Sequence, residues 1–126
     1  MIEQMRRELA SLLPLEISAA SYSEPTLMLA GEGWSFSSAS AWRITRGGIL
    51  EYGWSSPESN VAIQRLRGKS IVAIAPQSAF MAGDPAFEFS DGGWLEVFSD
   101  YPTDPWSLQL PNITFVGSPS DPSQVQ

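Results

Sequence analysis

The stretch "FEFSDGGWLEVF", residues 87–98, decides how the chain folds. Phe87, Phe89, Leu95 and Val97 alternate with other residues on either side of Asp91-Gly92-Gly93, the pattern of a β-hairpin with one apolar face. A three-residue loop over 91–93, with a glycine in the left-handed position, sets Phe89 against Leu95 and Phe87 against Val97. The opposite face then carries Glu88 directly across from Glu96, with Trp94 and Phe98 beside them. Like charges so placed weaken a sheet by about 0.2–1 kcal/mol, so something should offset the cost. One reading is a functional surface. Another is that both glutamates are simply solvated, and a third is that Arg43, Arg46 or Lys69 neutralises them. A two-residue loop would shift the register by one, put Phe87 against Glu96 and dissolve the pair.

Working outward, "GEGWSF" at residues 31–36 repeats the theme of the hairpin. At an offset of 60, Leu27, Leu29, Gly33 and Trp34 match Phe87, Phe89, Gly93 and Trp94; at 64, Trp42, Ile44, Ile49 and Gly53 match Trp106, Leu108, Ile113 and Gly117. Met28 and Phe36 stand where the second copy has Glu88 and Glu96. The first copy favours a two-residue loop, with Leu29 against Trp34 and Leu27 against Phe36. Four tryptophans at matched positions, Trp34, Trp42, Trp94 and Trp106, are expected as core anchors, and the unmatched Trp54 as the most exposed.

Each copy opens with helical spacing. Ile2, Met5, Leu9, Leu12 and Leu13 share a face, Glu3 and Arg7 form an i,i+4 pair, and Pro14 ends the run. Ser56, Pro57 and Glu58 predict a capped start for a second helix and Gly68 its stop. Short strands follow each helix, at about 15–22, 26–30, 33–38, 41–46 and 48–53, then 70–76, 85–90, 94–99, 106–110 and 112–117. The expected fold is α+β: a mostly antiparallel sheet built from two tandem similar units, each a helix followed by short strands. They form one domain over 1–117, with units of about 1–55 and 56–117, and a flexible Ser/Pro tail over 118–126.

The chain has 126 residues, no cysteine and no histidine. That removes disulfides, thiolate and imidazole chemistry and the usual zinc sites. No signal peptide or membrane span is expected, and the cytoplasm is the default location. Net charge is −7, but residues 1–69 hold seven acids and all seven bases, whereas residues 70–126 hold seven acids and no base. Such a field repels nucleic acid and anionic lipid and favours a basic partner. "RGKS" at 67–70 lacks the glycine and the strand-to-helix setting of a phosphate loop, and "NIT" at 112–114 signifies only if the chain is secreted. Asp100 and Asp104 lack the further acids of a calcium loop and read as an ordinary turn.

With "AWRITRGGIL" and "FEFSDGGWLEVFSDYPTDPWSLQL" in view, residues 25–117 resemble a group of small bacterial proteins of unknown function. The shared pattern is Trp42-Arg43-Ile44, then Ile49-Leu50, then Phe87, Phe89, Ser90, Gly92, Leu95, Val97, Phe98, Asp100 and Trp106. Ala41 departs from a proline often found there, and Ser107 from an arginine. The resemblance implies no activity, cofactor or catalytic residue. The leading expectation is a non-enzymatic, immunity-like inhibitor of a basic protein, binding through Glu88, Glu96, Trp94, Phe98, Asp100, Asp104 and Trp54, with no metal and no cofactor. The alternatives are a carboxylate-based hydrolase such as a glycosidase, using Glu88 and Glu96, and a structural homodimer.

Overall fold

A computed structural model describes residues 2–77, 83–99 and 105–117. Two helices and eleven strands follow in the order α1 (Ile2–Leu9), β1 (Leu15–Glu16), β2 (Ala19–Ser23), β3 (Thr26–Gly31), β4 (Trp34–Ser38), β5 (Ala41–Arg46), β6 (Ile49–Gly53), α2 (Ser59–Gln64), β7 (Ser70–Pro76), β8 (Pro85–Phe89), β9 (Gly93–Phe98), β10 (Trp106–Gln109) and β11 (Thr114–Val116). Every pairing is antiparallel. The class is α+β, as the alternation of short apolar runs and turn residues implies.

The strands make two sheets, one ordered β1-β7-β8-β9-β5-β6 and the other β11-β10-β4-β3-β2. Each contains a three-strand meander from one half of the chain and a hairpin from the other: β2-β3-β4 is extended by β10-β11, and β7-β8-β9 by β5-β6. The helices cross over in the same way, α1 packing on β7 and α2 on β2. Alternation buries one face of each sheet in a shared apolar core. Phe36 of β4 meets Phe87 of β8 edge-on with ring centroids 4.9 Å apart, and Tyr22 of β2 meets Trp42 of β5 at 5.2 Å.

The hairpin at 87–98 keeps its predicted core face, since Phe87, Phe89, Leu95 and Val97 are all buried. Its register differs by two residues from expectation. Phe87 faces Leu95, and Glu88 faces Trp94 instead of Glu96, which lies opposite Ala86. The loop is Ser90-Asp91-Gly92, closed by a bond from Gly92 N to Phe89 O of 2.9 Å, with Gly92 at φ +90°. A side chain at Gly92 would be strained there, which fixes the turn and hence the register. The first hairpin slips equally: Leu29 faces Phe36, and Gly31 faces Trp34.

Other expectations are corrected locally. The strand foreseen over 15–22 divides at the buried Ile17, whose N–H and C=O bond to Lys69 and Gly68, whereas Ser18 N turns to Ala30 O, so β1 joins one sheet and β2 the other. Glu3 pairs with Arg6 at 2.6 Å, not with Arg7, and Leu12 is exposed beyond the helix end. Ser56 does not cap α2: its hydroxyl accepts from Gly53 N at 2.9 Å to close a turn, and the helix starts at Ser59. Gly68 does end that segment, at φ +87°. The tail expected over 118–126 lies outside the described residues.

Of the matched tryptophans, Trp34, Trp42 and Trp106 are core residues. Trp94 is not; it points outward from β9 and is half-buried, because it is one pleat step out of phase with Trp34. Gly93 likewise sits within β9, while Gly33 occupies a turn at φ +78°. No helix among the described residues is long and apolar enough to cross a membrane.

Candidate functional site

The outward face of the six-stranded sheet gathers four of the seven candidate residues. The ladder brings Ala73, Glu88, Trp94 and Thr45 into one row across β7, β8, β9 and β5. Ala86, Glu96 and Arg43 form the next row, and Phe98 lies opposite Ala41. Period-two alternation puts all of these on the side away from the core, where Ala86 is buried and Glu88, Trp94 and Phe98 are partly buried.

The carboxylates differ in what they touch. Glu96 forms an ion pair with Arg43 directly across the β5–β9 ladder, and the Arg43 guanidinium also lies 4.9 Å from the centroid of the Phe98 ring. This is cation–π stacking on top of a charge-assisted bond. Glu88 has no hydrogen bond or ion pair among the described residues and is half-buried. The expected juxtaposition of two glutamates is therefore replaced by one neutralised carboxylate and one that is not, the neutralising base being one of the three considered from sequence.

The remaining bases go elsewhere. Lys69 Nζ and Arg46 Nη2 both reach Asp91 Oδ2, at 2.5 and 3.1 Å, Arg46 Nη1 bonds Asp91 O at 2.7 Å, and Gly93 N donates to Asp91 Oδ1 at 2.9 Å. Partial burial alone would raise the Asp91 pKa, but Lys69, the Gly93 amide and Arg46 together hold it well below the usual carboxylate range. The bonds to Asp91, with help from Glu51, raise the pKa of Arg46 in turn. Asp84 is buried at 3 % exposure and accepts from the amide of Ser99 at 2.9 Å and from its hydroxyl, tying the start of β8 to the end of β9. Among the acids of the second half, Asp84, Asp91 and Glu96 thus carry structural bonds. Placement of β5 beside β9 is what delivers Arg43 to Glu96 and Arg46 to Asp91.

Trp54 is apart from this face. Its N–H bonds the carbonyl of the inward-facing Trp42 at 3.0 Å, and with Tyr22, Pro25, Ser40 and Ala41 it lines a shallow cavity of about 150 Å³. Tyr22 there has a raised pKa, from burial and from the nearby charge of Glu24. Asp100 and Asp104 lie outside the described residues. Sequence reading passed over Asp91 as a bonding centre. Its Asp-Gly-Gly context signalled only a turn, and the cations that grip it come from 45 and 22 positions away.

A cavity of about 380 Å³ is lined by Leu12, Pro14, Glu16, Glu32, Trp34 and Pro111 among others, and neither Glu88 nor Glu96 lines it or the cavity beside Asp91. No group of three or more potential metal ligands occurs among the described residues. Comparison of the chain with family models, with curated proteins and with solved structures returns no match.

Proposed function

We propose that this chain is a non-enzymatic protein-binding module whose contact surface is the outward face of β8 and β9. The observation that carries the reading is the juxtaposition of Trp94 with Glu88, a carboxylate lacking any cationic partner among the described residues. Half-exposed aromatic rings supply binding energy through burial, and an unneutralised carboxylate beside them selects a lysine or arginine. An inhibitor of a basic protein, of the immunity type, fits that chemistry. A glycosidase would need Glu88 and Glu96 free and facing a cleft. Glu96 is held by Arg43, which favours binding over hydrolysis.

The test is surface-immobilised peptides with lysine or arginine flanked by apolar residues, compared with glutamate counterparts. Binding should select the basic set, and both Glu88→Lys and Trp94→Ala should weaken it by roughly 30-fold, the scale of a hot-spot residue at about 2 kcal/mol. Equal retention of both peptide sets, or indifference to both substitutions, refutes the reading.

We also infer that the two halves are copies of one ancestral segment. Support comes from the matching strand orders β2-β3-β4-β10-β11 and β7-β8-β9-β5-β6. Trp42 and Trp106 hold equivalent places in the two hairpins, each 1 % exposed. On this reading the offset of 64 is the correct one for those hairpins, and the offset of 60 is off by one for β4 against β9.

A further inference from the structure

We propose that β6 is a homodimerisation edge, pairing antiparallel with β6 of a second copy so that the two six-stranded sheets become continuous. Among the described residues β6 pairs in the sheet only with β5; at its far end Gly53 is tied to Ser56 through both its N–H and its C=O, and the stretch before it has no second strand. The other sheet edges are protected in ways that β6 is not. Strand β1 has two residues and follows Pro14, β11 has three, and α2 packs chiefly on β2, with a lesser contact to β6. Strand β6 has five residues and no proline or lysine, and the bulge that Glu51 makes against β5 lies beyond Ile49 and Leu50, which leaves these two as its regular outer end.

Its side chains point to what covers it. Ile49 is 71 % exposed and Leu50 61 %, the two most exposed large apolar residues among those described. They are consecutive in a strand opposite Arg46 and Thr45, so they project from opposite faces of the sheet. A helix or small ligand could shield one face only. A strand carrying apolar residues on both faces shields both, and β6 of a second copy is such a strand. Charge agrees with self-association at this point. The chain carries −7, but beside β6 Glu51 is bonded by Arg46 and Glu96 by Arg43, so two copies meet where these acids are already neutralised. A twofold axis perpendicular to the sheet relates the copies, which also puts both Glu88–Trp94 faces on the same side. The proposal does not depend on what that face binds.

Sedimentation equilibrium over a dilution series tests it. The wild-type chain should approach twice its 13.7 kDa mass as concentration rises, and the Ile49→Lys/Leu50→Lys double variant should stay monomeric with an unchanged far-ultraviolet spectrum. Val116→Lys, on the edge of the other sheet, should dimerise as wild type does. In the wild type, but not in the double variant, amide exchange at residues 49–51 should slow with increasing concentration. A wild-type monomer at every concentration, a dimer that survives the double substitution, or one abolished by Val116→Lys overturns the proposal, and so does exchange at β6 that ignores concentration.

Discussion

Arg43 and Glu96 stand directly opposite each other across β5 and β9, and the arginine that neutralises Glu96 also covers the ring of Phe98. The pair joins two halves of the chain and masks one of the two glutamates on the candidate surface. Replacing Arg43 by Ala should cost only about 1 kcal/mol of stability, because the pair is half exposed and the stacking contact is small. The same change should tighten binding to lysine-bearing peptides several-fold by freeing Glu96. Urea unfolding and peptide titration of one variant read both effects.

Asp91 should make part of the stability dependent on acid. Its folded pKa is depressed, so its contribution is complete above the unfolded value of about 3.9 and is lost as pH falls through the folded one. Asp91→Asn keeps the acceptor for Gly93 but removes the charge. Wild type should exceed the variant in stability at pH 6 and above, and the gap should narrow progressively below about pH 4. Unfolding curves of both proteins across that range decide it, and a gap that is constant with pH contradicts the assignment.

Gly31 is required for its lack of a side chain. A Cβ there would lie 2.1 Å from Glu16 O and 2.3 Å from Trp34 Nε1, splitting the 3.1 Å bond between those two groups. Gly31→Ala should therefore destabilise by about 2–4 kcal/mol, combining overpacking with a lost hydrogen bond. Gly47→Ala, with nothing near its Cβ direction, carries only the strain of its positive φ and should cost less. Thermal melts of the two variants make the comparison.

The crossing of hairpins between sheets predicts that neither half of the chain folds by itself. Residues 1–55 supply three strands to one sheet and two, with the short β1, to the other, and residues 56–117 do the converse. Each fragment should give a circular dichroism spectrum of a largely unfolded chain. An equimolar mixture should regain strand signal.

Sequence alone placed the strands closely and chose the right core face, because a period of two survives any slip of two residues. For the same reason it misplaced the partner of Glu88: registers that differ by two bury the same Phe87 and Leu95. Only the loop conformation distinguishes them, through which glycine takes positive φ, and "DGG" offers two candidates. The acidic character of the second half was read correctly as composition but not as a surface. Whether Glu96 or Asp91 is neutralised depends on which strand lies alongside, a contact between residues about fifty positions apart that no local pattern records. Trp94 has two readings in the sequence, outward beside Glu88 by hairpin alternation and inward by analogy with Trp34; the strand follows the alternation, because the two positions differ by one pleat step.

The interlaced arrangement has a temporal cost. Ser38 pairs with Leu27 on one side, but its partner on the other is Trp106, so a ribosome adding roughly 5–20 residues per second leaves that seam open for about 3–14 s. Through that interval β4 is an unfinished border in a nascent polypeptide, and pairings so distant along the chain are slow to close even after synthesis. Cellular yield should accordingly be governed by holdase capacity and growth temperature more than by the stability of the finished molecule.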